Sequence, residues 1–126
     1  MSNEITVTGT LQYANPAQNI PAISLALAST NFSITGKNFA YGSDPVPTTA
    51  GGTAIPIGNL SSSGWFFFKN NDPTNYIQIL NAVSGTVLLR INPGEFAMGR
   101  FDPGVTAPAA LSHTAPVLLE YLILEN

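Results

Sequence analysis

No twelve consecutive residues of this 126-residue chain lack Gly, Pro and Asn. A globular helix runs about 8–20 residues, and these three residue types interrupt or end one. Helices are therefore expected to be short or absent. What the chain carries instead is alternation. In Ile5–Tyr13, Ile5, Val7, Leu11 and Tyr13 share one parity, while Thr6, Thr8, Thr10 and Gln12 share the other. That is the period-2 mark of a strand with one wet face. Further strands are expected at Ile23–Ala28, in Asn31–Thr35, and at Gly64–Lys69, Tyr76–Leu80, Thr86–Ile91, Glu95–Phe101 and Val117–Glu125. Turn-forming pairs such as Asn15-Pro16, Asp72-Pro73 and Asn92-Pro93-Gly94 separate them. Residues 42–59, dense in Gly and Pro, predict a long loop with at most a short edge strand near Ala54–Ile57. The stretch from 104 to 115 predicts a small-residue connection. Short strands at this spacing predict an all-β, antiparallel β-sandwich of jelly-roll type, as a single domain over residues 1–126.

Charge narrows the classes further. Four Lys+Arg and seven Asp+Glu make 9% of the chain and a net charge of −3, against about 25% charged residues in an ordinary soluble domain. With 44% hydrophobic residues, disorder is excluded, and so is a basic nucleic-acid surface. The absence of cysteine removes disulfides and thiolate metal ligands. The start, Met1–Val7, shows no secretory signal pattern. The longest apolar run, Val117–Leu124, contains Glu120 and falls well short of the ~20 residues of a membrane span. A cytoplasmic site of synthesis and no membrane partner are the expectations.

Two strands are apolar on both faces. Trp65, Phe66, Phe67 and Phe68 are all aromatic, and Val117–Leu124 alternates Val117, Leu119, Tyr121 and Ile123 with Leu118, Glu120, Leu122 and Leu124. A sandwich strand needs one apolar face only. The second face must be covered by the 42–59 loop or the N-terminal segment, or by another chain, because a large exposed patch is unusual in a monomer. Low charge favours a subunit interface, most simply in a closed cyclic oligomer. Trp65, Phe67, Leu118, Leu122 and Leu124 are the candidate contact residues.

Chemistry is sparse. One histidine, His113, and no cysteine exclude a structural zinc site, and His113 reads as a solvated turn residue. No Gly-x-Ser-x-Gly elbow and no phosphate-binding glycine loop occurs. Asp44, Asp72 and Asp102 each precede proline and read as turn starters rather than paired catalytic carboxylates. The turn at residues 70–75 offers calcium one carboxylate, which reads better as an Asx turn. Glu120, alone in an apolar strand, is expected to pair with an Arg or Lys. No enzyme and no cofactor are expected.

Residues 58–125 also resemble a known group. The run Gly64-Trp65-Phe66-Phe67-Phe68-Lys69-Asn70 is followed by Asn75-Tyr76-Ile77-Gln78-Ile79. Then come Ile91-Asn92-Pro93-Gly94-Glu95-Phe96-Ala97 and a closing Leu119-Glu120-Tyr121-Leu122-Ile123-Leu124-Glu125. This order resembles small β-sandwich virion structural proteins of tailed bacteriophages, head or tail components. The resemblance implies a capsid decoration (cement, auxiliary capsid) protein in the virion, a homo-oligomer with a trimer favoured. Its partners would be other virion proteins such as the major capsid protein. The alternative is a receptor- or carbohydrate-binding module of a phage tail or fibre, which would present Tyr41 or Tyr76 on an exposed loop rim.

Overall fold

A computed structural model describes residues 5–18, 20–33 and 36–126. The chain falls into two compact units, Met1–Ile34 and Thr35–Asn126.

The first unit is an antiparallel hairpin. Strand β1 (Ile5–Asn15) runs through one short 3-10 turn (Pro16–Gln18) into β2 (Ile20–Phe32). Leu11 lies opposite Leu25, and Tyr13 opposite Ile23. Thr6 Oγ1, of the other parity, donates to Asn31 Oδ1 at 3.0 Å. The segments expected as two strands, Ile23–Ala28 and Asn31–Thr35, are one. Between the Gly9–Leu27 and Val7–Thr30 pairs the register shifts, so β2 takes up an extra residue and continues rather than ending. Ile34 and Thr35 lie outside the described residues, as do Met1–Glu4.

The second unit contains β3 (Phe39–Val46), β4 (Thr53–Ala54), β5 (Ser63–Asn70), β6 (Ile77–Leu80), β7 (Val87–Ile91), β8 (Phe96–Arg100), β9 (Ala109–Ser112) and β10 (Val117–Glu125). They form two four-stranded antiparallel sheets, ordered β3-β10-β5-β8 and β4-β9-β6-β7. Phe68, Leu119 and Ile123 from the first sheet share one core with Ile77, Ile79, Ile91 and Ala110 from the second, all of them almost fully buried. The expected all-β antiparallel sandwich is therefore the fold, and residues Thr35–Asn126 build it.

Two strands had no clear sequence signal. Residues 42–46, expected in a loop, belong to β3. That strand lies at a sheet edge, where a proline such as Pro45 is tolerated because its missing N–H can fall on the unpaired side. Its Gly42 sits opposite Tyr121, and a Cβ there would come within 2.6 Å of the Tyr121 hydroxyl. The bare glycine lets that hydroxyl donate to Asp44 Oδ2 at 3.1 Å, so Asp44 is a strand residue rather than a turn starter. The small-residue stretch contains β9, whose buried Ala109 and Ala110 sit opposite Leu80 and Ile79. Alanine is a weak strand former, and only these bulky neighbours select it.

The tight turns do follow their residues. Gly94 (φ 75°) follows Pro93, and Glu95 N donates to Asn92 O at 3.0 Å, as a type II turn requires. Asp102 Oδ1 accepts from Gly104 N at 2.8 Å.

Candidate interaction surface

Side chains alternate across a pleated strand, so burying Phe66 and Phe68 against the core turns Trp65 and Phe67 outward. The same rule buries Val117, Leu119, Tyr121 and Ile123 and turns Leu118, Glu120, Leu122 and Leu124 out. All five candidate contact residues thus share the outer face of β3-β10-β5-β8. The register arranges that face in rows. Tyr41, Leu122, Phe67 and Met98 stand side by side across all four strands. The neighbouring row is Ser43, Glu120, Lys69 and Phe96. Phe39 lies opposite Leu124, and Trp65 opposite Arg100. Phe67 and Phe96 stack with ring centroids 6.1 Å apart.

Trp65, Phe67, Leu122 and Leu124 are each half-buried. Around them Phe39, Tyr41 and Phe96 are 66%, 69% and 63% exposed, and Met98 and Leu118 are also exposed. Sequence reasoning missed Phe39, Phe96 and Met98, and named Tyr41 only as an exposed loop-rim residue of the carbohydrate-binding alternative. Their alternation with Ala40, Gly42, Ala97 and Gly99 was visible, but its meaning depends on which strand pairs beside which. Glu120 lies directly opposite Lys69, and its hydrogen-bond partner is the Asn71 amide, which donates to Oε2 at 3.1 Å.

The outer face of β4-β9-β6-β7 has a different character. The Arg90 guanidinium lies 3.7 Å over the Tyr76 ring, and the His113 ring tilts against Tyr76 at 5.3 Å. His113 Nε2 is 2.7 Å from Gln78 Oε1. Tyr76 therefore has one ring face occupied by a cation, and Tyr41 stands within the sheet row rather than on a loop rim.

Asp72 and Glu125 serve the backbone. Asp72 Oδ1 accepts from Asn75 N at 2.6 Å and Thr74 N at 2.7 Å, and these bonds lower its pKa. The Asx-turn reading of residues 70–75 holds. Glu125 is held at about 2 by hydrogen bonds from the Ser61 and Lys37 amides, the Ser61 hydroxyl and the Asn38 amide. It ties the segment entering β3 and the one entering β5 to the end of β10. Among the described residues no three His, Asp or Glu side chains converge on one point. An apolar cleft of about 90 Å³ lies beside Asp44, Ile55 and Tyr121, and another of about 230 Å³ beside Phe66, Leu88 and Phe101. Both fall below the ~300–1,000 Å³ of a small-molecule site, whereas an open and more polar hollow of about 400 Å³ beside Lys69, Asn71, Asp72 and Pro93 falls within it. No helix among the described residues is long and apolar enough to cross a membrane.

No family model, curated protein or solved structure matches the chain. The functional reading rests on the surface itself.

Proposed function

We propose that this chain is a virion structural protein of a tailed bacteriophage. In this reading it is a capsid decoration protein that oligomerises and binds the assembled shell. The observation that carries the proposal is the aromatic outer face of β3-β10-β5-β8, in which Phe39, Tyr41, Phe96, Met98 and Leu118 stay exposed around Trp65, Phe67, Leu122 and Leu124. The exposed parts of those five side chains amount to about three large side chains, so covering them is worth roughly 4–8 kcal/mol per copy. Association costs on the order of 4–15 kcal/mol, so the face must be covered nearly whole. A protein acting this way stabilises a shell by mass action, because it binds only the assembled form.

The order of pairing supports a jelly-roll winding. Strands β6–β7, β5–β8, β4–β9 and β3–β10 pair as successive layers of one long hairpin, with eight strands in two sheets. The carbohydrate-binding alternative is weaker, since Tyr76 is occupied by Arg90 and Tyr41 belongs to the apolar row.

Sedimentation velocity tests the association. The wild-type protein should run as a closed oligomer, with a trimer favoured, and Leu122→Asp as a monomer. A monomeric wild type, or a variant of unchanged mass, refutes it. In a phage lysate the chain should band with the heads. Recovery in the soluble fraction alone refutes the virion assignment.

A further inference from the structure

The hairpin unit poses a physical problem of its own. An isolated two-stranded ribbon is marginally stable in water and needs a third strand or a packed face. One face of this ribbon carries Leu11, Ile23, Leu25 and Leu27, exposed by 71%, 52%, 67% and 45%. The parity on the other side of β1 is Thr6, Thr8, Thr10 and Gln12. The ribbon is built to be covered on one side and wet on the other.

We infer that the outer face of β3-β10-β5-β8 is covered by the β1–β2 hairpin of a second copy of this chain. The inference names the occupant of the surface in the proposed function and rests on that oligomeric reading.

Three observations carry it. The first is charge. From residue 5 to residue 36 there is no Asp, Glu, Lys or Arg. The hairpin brings no charge of its own to the Tyr41–Leu122–Phe67–Met98 row, beside which Glu120 and Lys69 of the sheet stand opposite each other, and copies of it do not repel one another. A nucleic acid, an anionic lipid or an acidic peptide would find no countercharge on it. The second is area. A large apolar side chain offers roughly 100 Å² to bury, so the sheet face supplies on the order of 300 Å² of exposed apolar surface and the hairpin face on the order of 200 Å². A stable interface buries about 800 Å² per partner, somewhat more than half of it apolar. Neither surface reaches that figure, and one contact joins the sheet of one copy to the hairpin of the next, on the order of 500 Å² of apolar surface over both partners. Closure into a ring, in which every copy makes two such contacts, makes up the shortfall. The third is reach. Strands of 11 and 13 residues extend roughly 37–44 Å at ~3.4 Å per residue. That covers the roughly 30 Å of the nine-residue β10 from end to end. Exchange of two different surfaces is a heterologous contact, which closes into a ring when the rotation permits.

The chain has no cysteine, so engineered thiols report without background. Leu25→Cys and Met98→Cys proteins, co-refolded in equal amounts and treated with a short bis-maleimide, should yield a mixed Leu25–Met98 dimer as the main cross-linked product. Homodimers alone, through Leu25 or through Met98, overturn the inference. So does a link confined to single chains when Leu25→Cys and Met98→Cys are combined in one chain, with no mixed dimer from the two single variants. Leu25→Asp supplies an independent reading. It should lower the sedimenting mass to the monomer while the sandwich keeps the urea midpoint of the wild type diluted below its dissociation constant, and an unchanged mass overturns the inference. An oligomeric wild type without the mixed dimer refutes the hairpin as occupant only. A monomeric wild type refutes the oligomer as well.

Discussion

Phe67 and Phe68 are neighbours in sequence on opposite faces of β5, so truncating each one tests whether the two faces have different work. Phe68 is fully buried, 5.1 Å from Phe66 and 6.0 Å edge-on to Phe101. Phe68→Ala removes a ring from the centre of the core, and such truncations cost about 3–5 kcal/mol. A domain of this size has about 5–15 kcal/mol of stability in all. Each kcal/mol lowers its midpoint by about 4–8 °C, so a fall of roughly 12–40 °C is expected, independent of protein concentration. Phe67 is half-buried, between Leu122 and Met98 in the register and stacked on Phe96. Phe67→Ala should cost the isolated fold only about 1 kcal/mol, with a similar amount lost from association. A loss of ~1.4 kcal/mol weakens assembly tenfold, and the stability deficit should shrink on dilution below the wild-type dissociation constant. Thermal and urea melts at two protein concentrations, followed through the single tryptophan, Trp65, together with sedimentation velocity, separate the two effects. If both variants lose the same stability at every concentration, or if Phe68→Ala costs under 1 kcal/mol, the assignment of inner and outer faces is refuted.

Two further outcomes follow from the polar groups. Because Glu125 has a folded-state pKa of about 2 against an ordinary 4.5, its contribution is complete above about pH 4.5 and is lost as the pH falls toward 2. Urea melts at pH 7, 4 and 2.5 should show that decline, and Glu125→Gln should make it shallower. Asp72, also lowered, keeps part of it; an identical pH dependence in the variant refutes the role of Glu125. Asn70 is fully buried; its Nδ2 donates to Asn75 O at 2.8 Å and Ile91 O at 3.1 Å, and its Oδ1 accepts from Asp72 N at 2.9 Å. Asn70→Ala leaves those backbone groups without a partner at about 1–3 kcal/mol each, so a loss of about 3 kcal/mol or more is expected in urea melts, and a loss below 1 kcal/mol refutes the bonding scheme.

The β class, the turn at Asn92-Pro93-Gly94 and the doubly apolar character of Trp65–Phe68 and Val117–Leu124 are all local in origin. Period, turn residues and side-chain type express themselves over a few neighbours, and so they were legible in the sequence alone. Parity even placed Trp65, Phe67, Leu118, Leu122 and Leu124 on common faces of their strands. What one strand cannot express is its neighbour. Phe39, Tyr41, Phe96 and Met98 join the same surface only because β3 pairs with β10 and β8 with β5. Ala109 and Ala110 form a strand only because Leu80 and Ile79 stand beside them. Asp44 leaves its turn because an edge position tolerates Pro45 and Gly42 makes room for Tyr121. The two doubly apolar strands, rather than the low charge of 9% of residues, said that some faces of this chain are not made for water, since Thr6, Thr8, Thr10 and Gln12 make a wet face without charge. Only the pairing of distant strands, which depends on nonlocal contacts and closure, decided which ones.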